Sequence, residues 1–270
     1  MARSSYYYRH KKSLLSDKDK EIKELINRIY HYHKGRYGYR RVTLEINKRG
    51  LLINHKTVLK LMRELGLKSL IRVKRYKSYK GQIGLTAPNI LQRDFKTVKP
   101  NKKWATDITE FKVLGNKLYL SPIIDLFNRE IISYDLSEKS DFKQVVAMLK
   151  MSFKKISNHK NLILHSDQGW QYQMKQYRRL LQDKGIIQSM SRKDLRLRIK
   201  TVVFTIKSNA VIGTFFGILK SELFYLNKYE SISQLKKDIK EYLEYYNNER
   251  IKKDLSGMSP IEYRTHYNQN

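Results

Sequence analysis

Apolar side chains recur every three to four residues from Lys18 to His33, with Ile22, Leu25, Ile26 and Ile29 on one face. That spacing predicts an amphipathic helix, with Ser16 or Asp17 placed to cap it. Two shorter helical runs follow, from about Arg40 to Lys48 and from about His55 to Leu65. They are closed by Gly50 and Gly66, residues suited to helix C-caps, and Asn54 suits the N-cap of the second run. Between Lys68 and Asn101 the periodicity dissolves, with Gly81, Gly84, Pro88 and Pro100 as breakers. From Trp104 the period becomes two. WATDITEFKVL alternates with Ala105, Asp107, Thr109 and Phe111 on one face, which predicts a single strand with Asp107 in its middle. KLYLSPIIDLF and REIISYDLS read as two more strands, so the three predict an antiparallel meander. A helix from about Phe142 to Phe153, a buried-type strand from Leu162 to Leu164, a helix from Tyr172 to Lys184 and a short strand around Ile186 to Ser189 complete an α/β unit. The end of the chain reads as a helix from about Ser231 with Leu235, Ile239, Tyr242, Leu243 and Tyr246 on one stripe. The loop SGMSP and a short helix from Ile261 follow it.

This pattern divides the chain into a Tyr-rich basic arm (1–17), a helix-turn-helix module (18–68), a basic linker (69–100) and an α/β core with C-terminal helices (101–266). Charge sharpens the division. The 270 residues carry 56 Lys+Arg against 25 Asp+Glu, a net charge of +31, and nucleic acid is the default partner for so cationic a protein. Residues 1–103 hold 28 basic residues against 7 acids, and the remainder holds 28 against 18, so two thirds of the excess lies in front. In the helix-turn-helix reading Lys56, Thr57, Lys60 and Arg63 face DNA. The competing reading is a helical bundle with a solvated basic face. In the linker, Lys74 and Arg75 are interleaved with Tyr76 and Tyr79, a mixture suited to following phosphates and stacking on bases and equally to a solvated linker. With no cysteine there are no disulfides or thiolate zinc sites. No run of eighteen apolar residues occurs, and the first residues lack an apolar signal segment. The expectation is a cytoplasmic, nucleoid-associated protein with no membrane partner.

Two aspartates carry the candidate chemistry. Asp107 interrupts a small or apolar strand face, and Asp167 ends a hydrophobic strand, where open α/β sheets place their sites. One carboxylate on each of two neighbouring strands suits Mg²⁺ (or Mn²⁺), which takes few protein oxygens and leaves room for water and phosphate. Two such ions serve phosphodiester chemistry by activating one oxygen and stabilising the other. The plainer reading is a hydrogen-bonded structural aspartate. His31 and His33 read as solvent or phosphate contacts, and His165 as a packed residue at a strand end. Trp170 and Tyr172 divide between stacking on DNA and covering the core. No glycine-rich loop ending in Lys-Ser/Thr is present, so ATP use is not indicated.

WATDITEF, YLSPIIDLFNREIISYDLS, HSDQGWQYQ and YNNERIKKDLSGMSPIEYR resemble the second-reading-frame transposases of the third bacterial insertion-sequence family, relatives of retroviral integrases. GYRRVTLEINKRGLLINHKTVLKLMRELGL is similar to the helix-turn-helix domain that precedes their catalytic core. The resemblance covers nearly the whole chain. It implies a ribonuclease H-like integrase core, a mixed sheet with flanking helices, preceded by a helical helix-turn-helix domain. It also implies cut-and-join chemistry on double-stranded DNA, at terminal inverted repeats and target, by two Asp and one Glu. Asp107 and Asp167 match the first two. The family's third carboxylate lies about thirty-five residues after the second, on a helix beginning Asn-Ala-Val-Ile-Glu. Here that stretch reads NAVIGTFFGILKSELF, and Gly213 occupies the place. The preceding Asp194 to Ser208 run is about ten residues longer than in the family and reads as an insertion or a restored frame slip. Glu222 lies nine residues beyond Gly213, on the opposite helix face. Lys220 matches basic residues of that helix that touch phosphate. The resemblance therefore implies a transposase impaired in cleavage and strand transfer. It acts as a homo-oligomer on DNA, with an upstream-frame protein as a further partner. The alternative is an inactive DNA-binding protein that occupies element ends as a repressor.

Overall fold

The computed structural model describes residues 19–70, 87–91, 94–156, 159–191 and 210–269. Lys74, Arg75 and the Asp194 to Ser208 run lie outside the described residues. The chain separates into two compact units, within residues 1–71 and 72–270.

The first unit is three helices, α1 (Lys20–Tyr32), α2 (Tyr39–Lys48) and α3 (His55–Glu64). Their apolar stripes close on one another through Ile26, Ile29, Val42, Ile46, Val58, Leu61 and Met62. The Asn54 side chain accepts a hydrogen bond from the Lys56 amide at 2.8 Å and so caps α3. Gly66 follows α3 with φ +67°, a left-handed conformation that glycine adopts without a Cβ clash. His33 departs from the solvent-facing role expected of it. It is buried and its ring stacks on Tyr37 at 3.7 Å. Burial, and then Arg49, Arg36 and Arg41, hold its pKa down at about 4, so it serves as a neutral core ring.

The second unit is built on a mixed sheet of β1 (Lys103–Thr106), β2 (Thr109–Val113), β3 (Asn116–Asp125), β4 (Ile131–Ser137), β5 (Ile163–Ser166) and β6 (Ile187–Met190). β3 pairs antiparallel with β4 on one side and with both β1 and β2 on the other. The expected single strand over WATDITEFKVL is therefore two strands on one edge, and Asp107 sits in the break rather than mid-strand. Thr106 lies opposite Ile123 and Thr109 opposite Leu120, so the register runs unbroken across the gap and sets Asp107 opposite Pro122. Proline has no N–H to donate to a ladder, which accounts for the interruption there. The meander from β2 to β4 is as the alternation predicts. β5 and β6 then join parallel, giving the path β4-β3-β1-β5-β6 with β2 extending β1.

Helices cover both faces. α4 (Phe142–Phe153), α5 (Trp170–Gln173) and α6 (Lys175–Gln182) lie on the side of Trp104, Leu162 and Leu164. The single helix expected from Tyr172 is two, because Met174 between them is extended at ψ 140°. The opposite face, carrying Ala105, Phe111 and Leu120, is covered by α7 (Ala210–Leu219), its π-helical continuation (Lys220–Phe224) and α8 (Ile232–Asn248). Ser231 caps α8 through its hydroxyl, which accepts from the Gln234 amide. A short helix α9 (Pro260–Gln269) ends the fold, and Arg264 on it pairs with Asp125 and Glu130. Among the described residues no helix is long and apolar enough to cross a membrane.

Candidate active site

β1 and β5 pair in parallel, Trp104 with Leu164 and Ala105 with His165. Continuing that register one step past each strand brings Asp107 beside Asp167. The two carboxylates thus stand at the C-terminal ends of adjacent parallel strands, the position where α/β sheets open to ligands. Residue parity puts both on the face of Ala105 and Phe111, the one α7 covers.

Backbone turns fix each side chain. Asp107 Oδ1 accepts from the Ile108 amide at 2.7 Å and Asp167 Oδ1 from the Gly169 amide at 2.9 Å. Gly169 is required by closeness rather than by dihedral angle. A Cβ there lies 3.0 Å from Asp167 Oδ1 and 3.0 Å from Gln171 Oε1. Gly169→Ala is expected to lower stability by about 1 kcal/mol. An unchanged thermal melt would show that the turn has room.

Burial and then the charge of Asp167 push the Asp107 carboxyl up to about 8, and burial raises Asp167 as well. Tyr172, fully buried beneath them, has its phenol pushed up by burial and then by both aspartates, which assigns it to the core. Trp170, three residues after Asp167 in the chain, is 55% exposed. His165 is buried, with Nδ1 3.0 Å from Ser189 Oγ. Because Asp107 titrates higher in the fold than in the unfolded chain, the folded state holds more protons between those values. Stability therefore falls as pH rises from about 4 to about 8. Asp107→Asn is expected to raise metal-free stability by about 1–2 kcal/mol at pH 7 and to flatten that slope. A melting temperature with the same pH dependence in the variant would refute the repulsion.

Lys220 reaches the same corner from the helix side. Its Nζ donates to the Glu110 carbonyl at 3.0 Å and lies 5.1 Å from the Phe111 ring centroid. Burial lowers its pKa, opposed by Glu110 and Asp107. Gly213 is seven residues, two turns, before Lys220 and therefore on the same side of α7. An added Cβ at Gly213 meets nothing within 4 Å. Glu222 faces elsewhere. It is 2% exposed and held by Arg250 through bonds of 2.8 and 2.6 Å, with the Tyr242 hydroxyl donating at 2.8 Å. Among the described residues no three His, Asp or Glu come together as a metal cluster. The Asp107 and Asp167 pair remains, and two neighbouring carboxylates, the first raised by the charge of the second, fit a hard divalent cation completed by water.

The front unit meets a family model of an HTH-like domain over residues 16–75. Models of an integrase core domain match residues 97–194 and 213–267, leaving 195–212 uncovered. InsK, the transposase assigned to insertion sequence element IS150 of Escherichia coli K12, is 54% identical over 97% of this chain and 89% of its own length. The chain belongs to the IS3-family transposases. The transposase is also 32% identical to that of element IS904 from Lactococcus lactis, over 94% of this chain and 98% of the relative. Among solved structures, the HTLV-2 integrase catalytic core in complex with magnesium aligns with a TM-score of 0.48 and 16% identity. That match spans 63% of this chain and 99% of the other. The transposase has an integrase core domain behind an HTH-like domain. In that domain Lys56, Thr57, Lys60 and Arg63 are all exposed on α3, with Lys60 3.8 Å from Glu64. Sequence reasoning singled out Asp107, Asp167, Gly213 and Lys220, and the structure brings Asp107, Asp167 and Lys220 to one corner of the sheet. It missed Gly169 and Pro122, although a glycine two residues past a strand-end Asp and a proline inside a strand are both readable signals.

Proposed function

We propose that this transposase binds the terminal inverted repeats of its element through α3 and the basic linker, as a homo-oligomer on DNA. It presents DNA to Asp107 and Asp167, and it is impaired in strand cleavage and joining. The observation that carries this reading is the arrangement of three positions: two aspartates in register just past the ends of β1 and β5, with glycine on the Lys220 side of α7. Asp107 and Asp167 would hold Mg²⁺ or Mn²⁺, which when bound supplies charge stabilisation at the scissile phosphate. Burial and the charge of Asp167 favour the protonated form of Asp107, so a cation bound there competes with a proton. Lys220, held on Glu110, is placed to meet a DNA phosphate on the α7 side, and Trp170 offers an exposed ring next to Asp167. With no carboxylate on α7, the second clamp on the reacting phosphate is absent.

The test is a Mg²⁺-dependent joining assay with inverted-repeat DNA. The unmodified chain is expected to bind such ends, with affinity falling steeply as salt rises, and to join them at or near background. Efficient joining by the unmodified chain would overturn the reading of the site.

A further inference from the structure

The far end of the run expected as linker is built into the core. β6 is the last strand on its side of the sheet, and residues 87–91 lie along it, covering an edge that would otherwise be open to another strand. The Met190 amide donates to the Pro88 carbonyl at 3.3 Å. The amides of Ile90 and Leu91 both donate to Ser189 Oγ, at 3.1 and 3.4 Å. Ile90 shares its proton with the Pro88 carbonyl, whereas Leu91 has no other acceptor among the described residues. Further on, Lys103 Nζ at the start of β1 gathers the Asp94 carboxylate at 2.8 Å and the carbonyls of Asp94 and Lys96 at 2.9 Å each. Leu91 is buried in the cluster of Ala105 and Phe111, and Phe95 packs against it. This strap therefore lies on the sheet face that carries Asp107 and Asp167.

The Ser189 hydroxyl also reaches the strand that ends in Asp167. In the parallel pairing of β5 with β6, Ser189 stands opposite His165, and its oxygen lies 3.0 Å from His165 Nδ1. A hydroxyl has one proton and two lone pairs. The two strap amides take the lone pairs, which leaves the hydroxyl proton for Nδ1 and puts the ring's own proton on Nε2. Phe95 of the strap meets the same ring edge-on, with centroids 5.8 Å apart. His165 is two residues before Asp167 and on the same face of the sheet. We propose that Ser189 is a positioning residue, which latches the linker onto the strand pair leading to Asp167. The tether to the front unit then begins at the β6 edge, before Ala87, and not at Asn101. This role rests on the proposed function, in which the front unit holds DNA for the two aspartates. A shorter tether raises the local concentration of that DNA at the site.

Amide hydrogen exchange in the full-length protein, read residue by residue by mass spectrometry, tests the latch without DNA or metal. Ser189→Ala is expected to speed exchange at Leu91 by about tenfold, the effect of losing one buried hydrogen bond. Ser189→Thr keeps the hydroxyl and should hold that amide within about threefold of the unmodified chain. Ser191→Ala removes an equally enclosed serine two residues further on, which makes no bond to the strap, and should leave Leu91 unchanged. The amides of β5 report in each variant that the sheet itself stays closed. Equal exchange at Leu91 in the unmodified chain and Ser189→Ala overturns the proposal. So does an effect of Ser189→Thr or Ser191→Ala as large as that of Ser189→Ala. A chain that shows the latch yet fails to bind inverted-repeat DNA would sink the proposed function and leave the latch standing.

Discussion

Gly213→Glu, combined with removal of the excess residues between Asp194 and Ser208, is expected to raise Mg²⁺-dependent joining by about 10²–10³-fold, the usual size of one electrostatic contribution to a transition state. The helix accepts the change. A Cβ at this position contacts nothing within 4 Å, and replacing a helix-interior glycine gains roughly 0.5–1 kcal/mol of helix stability by itself. Two controls separate chemistry from folding. Gly213→Ala takes the propensity gain without a functional group, and Gly213→Gln adds a side chain of the same length without charge. Only the carboxylate should restore joining, and its gain should vanish with Asp107→Asn or Asp167→Asn. If Gly213→Gln performs as well as Gly213→Glu, position 213 contributes something other than a metal-binding charge and the present account fails.

The largest stability effect is expected at Arg250. Its guanidinium and the Glu222 carboxylate are almost wholly enclosed and meet in a two-pronged pair, with Tyr242 taking part as donor. Removing one partner strands the other charge away from water. Arg250→Met is expected to cost about 3–5 kcal/mol, a drop on the order of 10 °C in melting temperature. The Glu222→Met, Arg250→Met double variant should recover most of that loss, because an apolar pair of similar bulk leaves no stranded ion. Were the double variant as unstable as the single, the cost would lie in packing and not in charge. The pair fastens the π-helical turn after α7 to the segment after α8, so its loss should also loosen the helix that carries Lys220 and position 213.

Much of this architecture is legible from residue order because the signals are local. The helices of the front unit, α4 and the start of α8 lie within a residue or two of where periodicity places them, while the Ser16 or Asp17 cap expected for α1 lies outside the described residues and Asp19 before that helix makes no side-chain cap bond. What escaped depends on partners distant in sequence. Nothing near Asp107 announces that Pro122 stands across from it and breaks the strand. Met174 interrupts a helical pattern without being a helix breaker. His33 looks like a surface residue on a basic helix, and only the fold of the 33–37 turn reveals its stacking on Tyr37. The two aspartates stand out by address, but their adjacency required the parallel pairing of strands about sixty residues apart. The acid missing from α7 was visible only by comparison with the family pattern.

The open space around Gly213 has a genetic consequence. Because an added Cβ there meets no atom of the described residues within 4 Å, folding registers little more than the small helix-propensity cost of glycine, and selection for a stable chain is nearly blind to the loss of a carboxylate at this position. On the proposed reading, copies that lose the carboxylate here keep their fold and compete with working siblings for the same DNA ends. A screen for defective elements based on expression or thermal stability would pass them all, so only an assay of the joined product can tell the two populations apart.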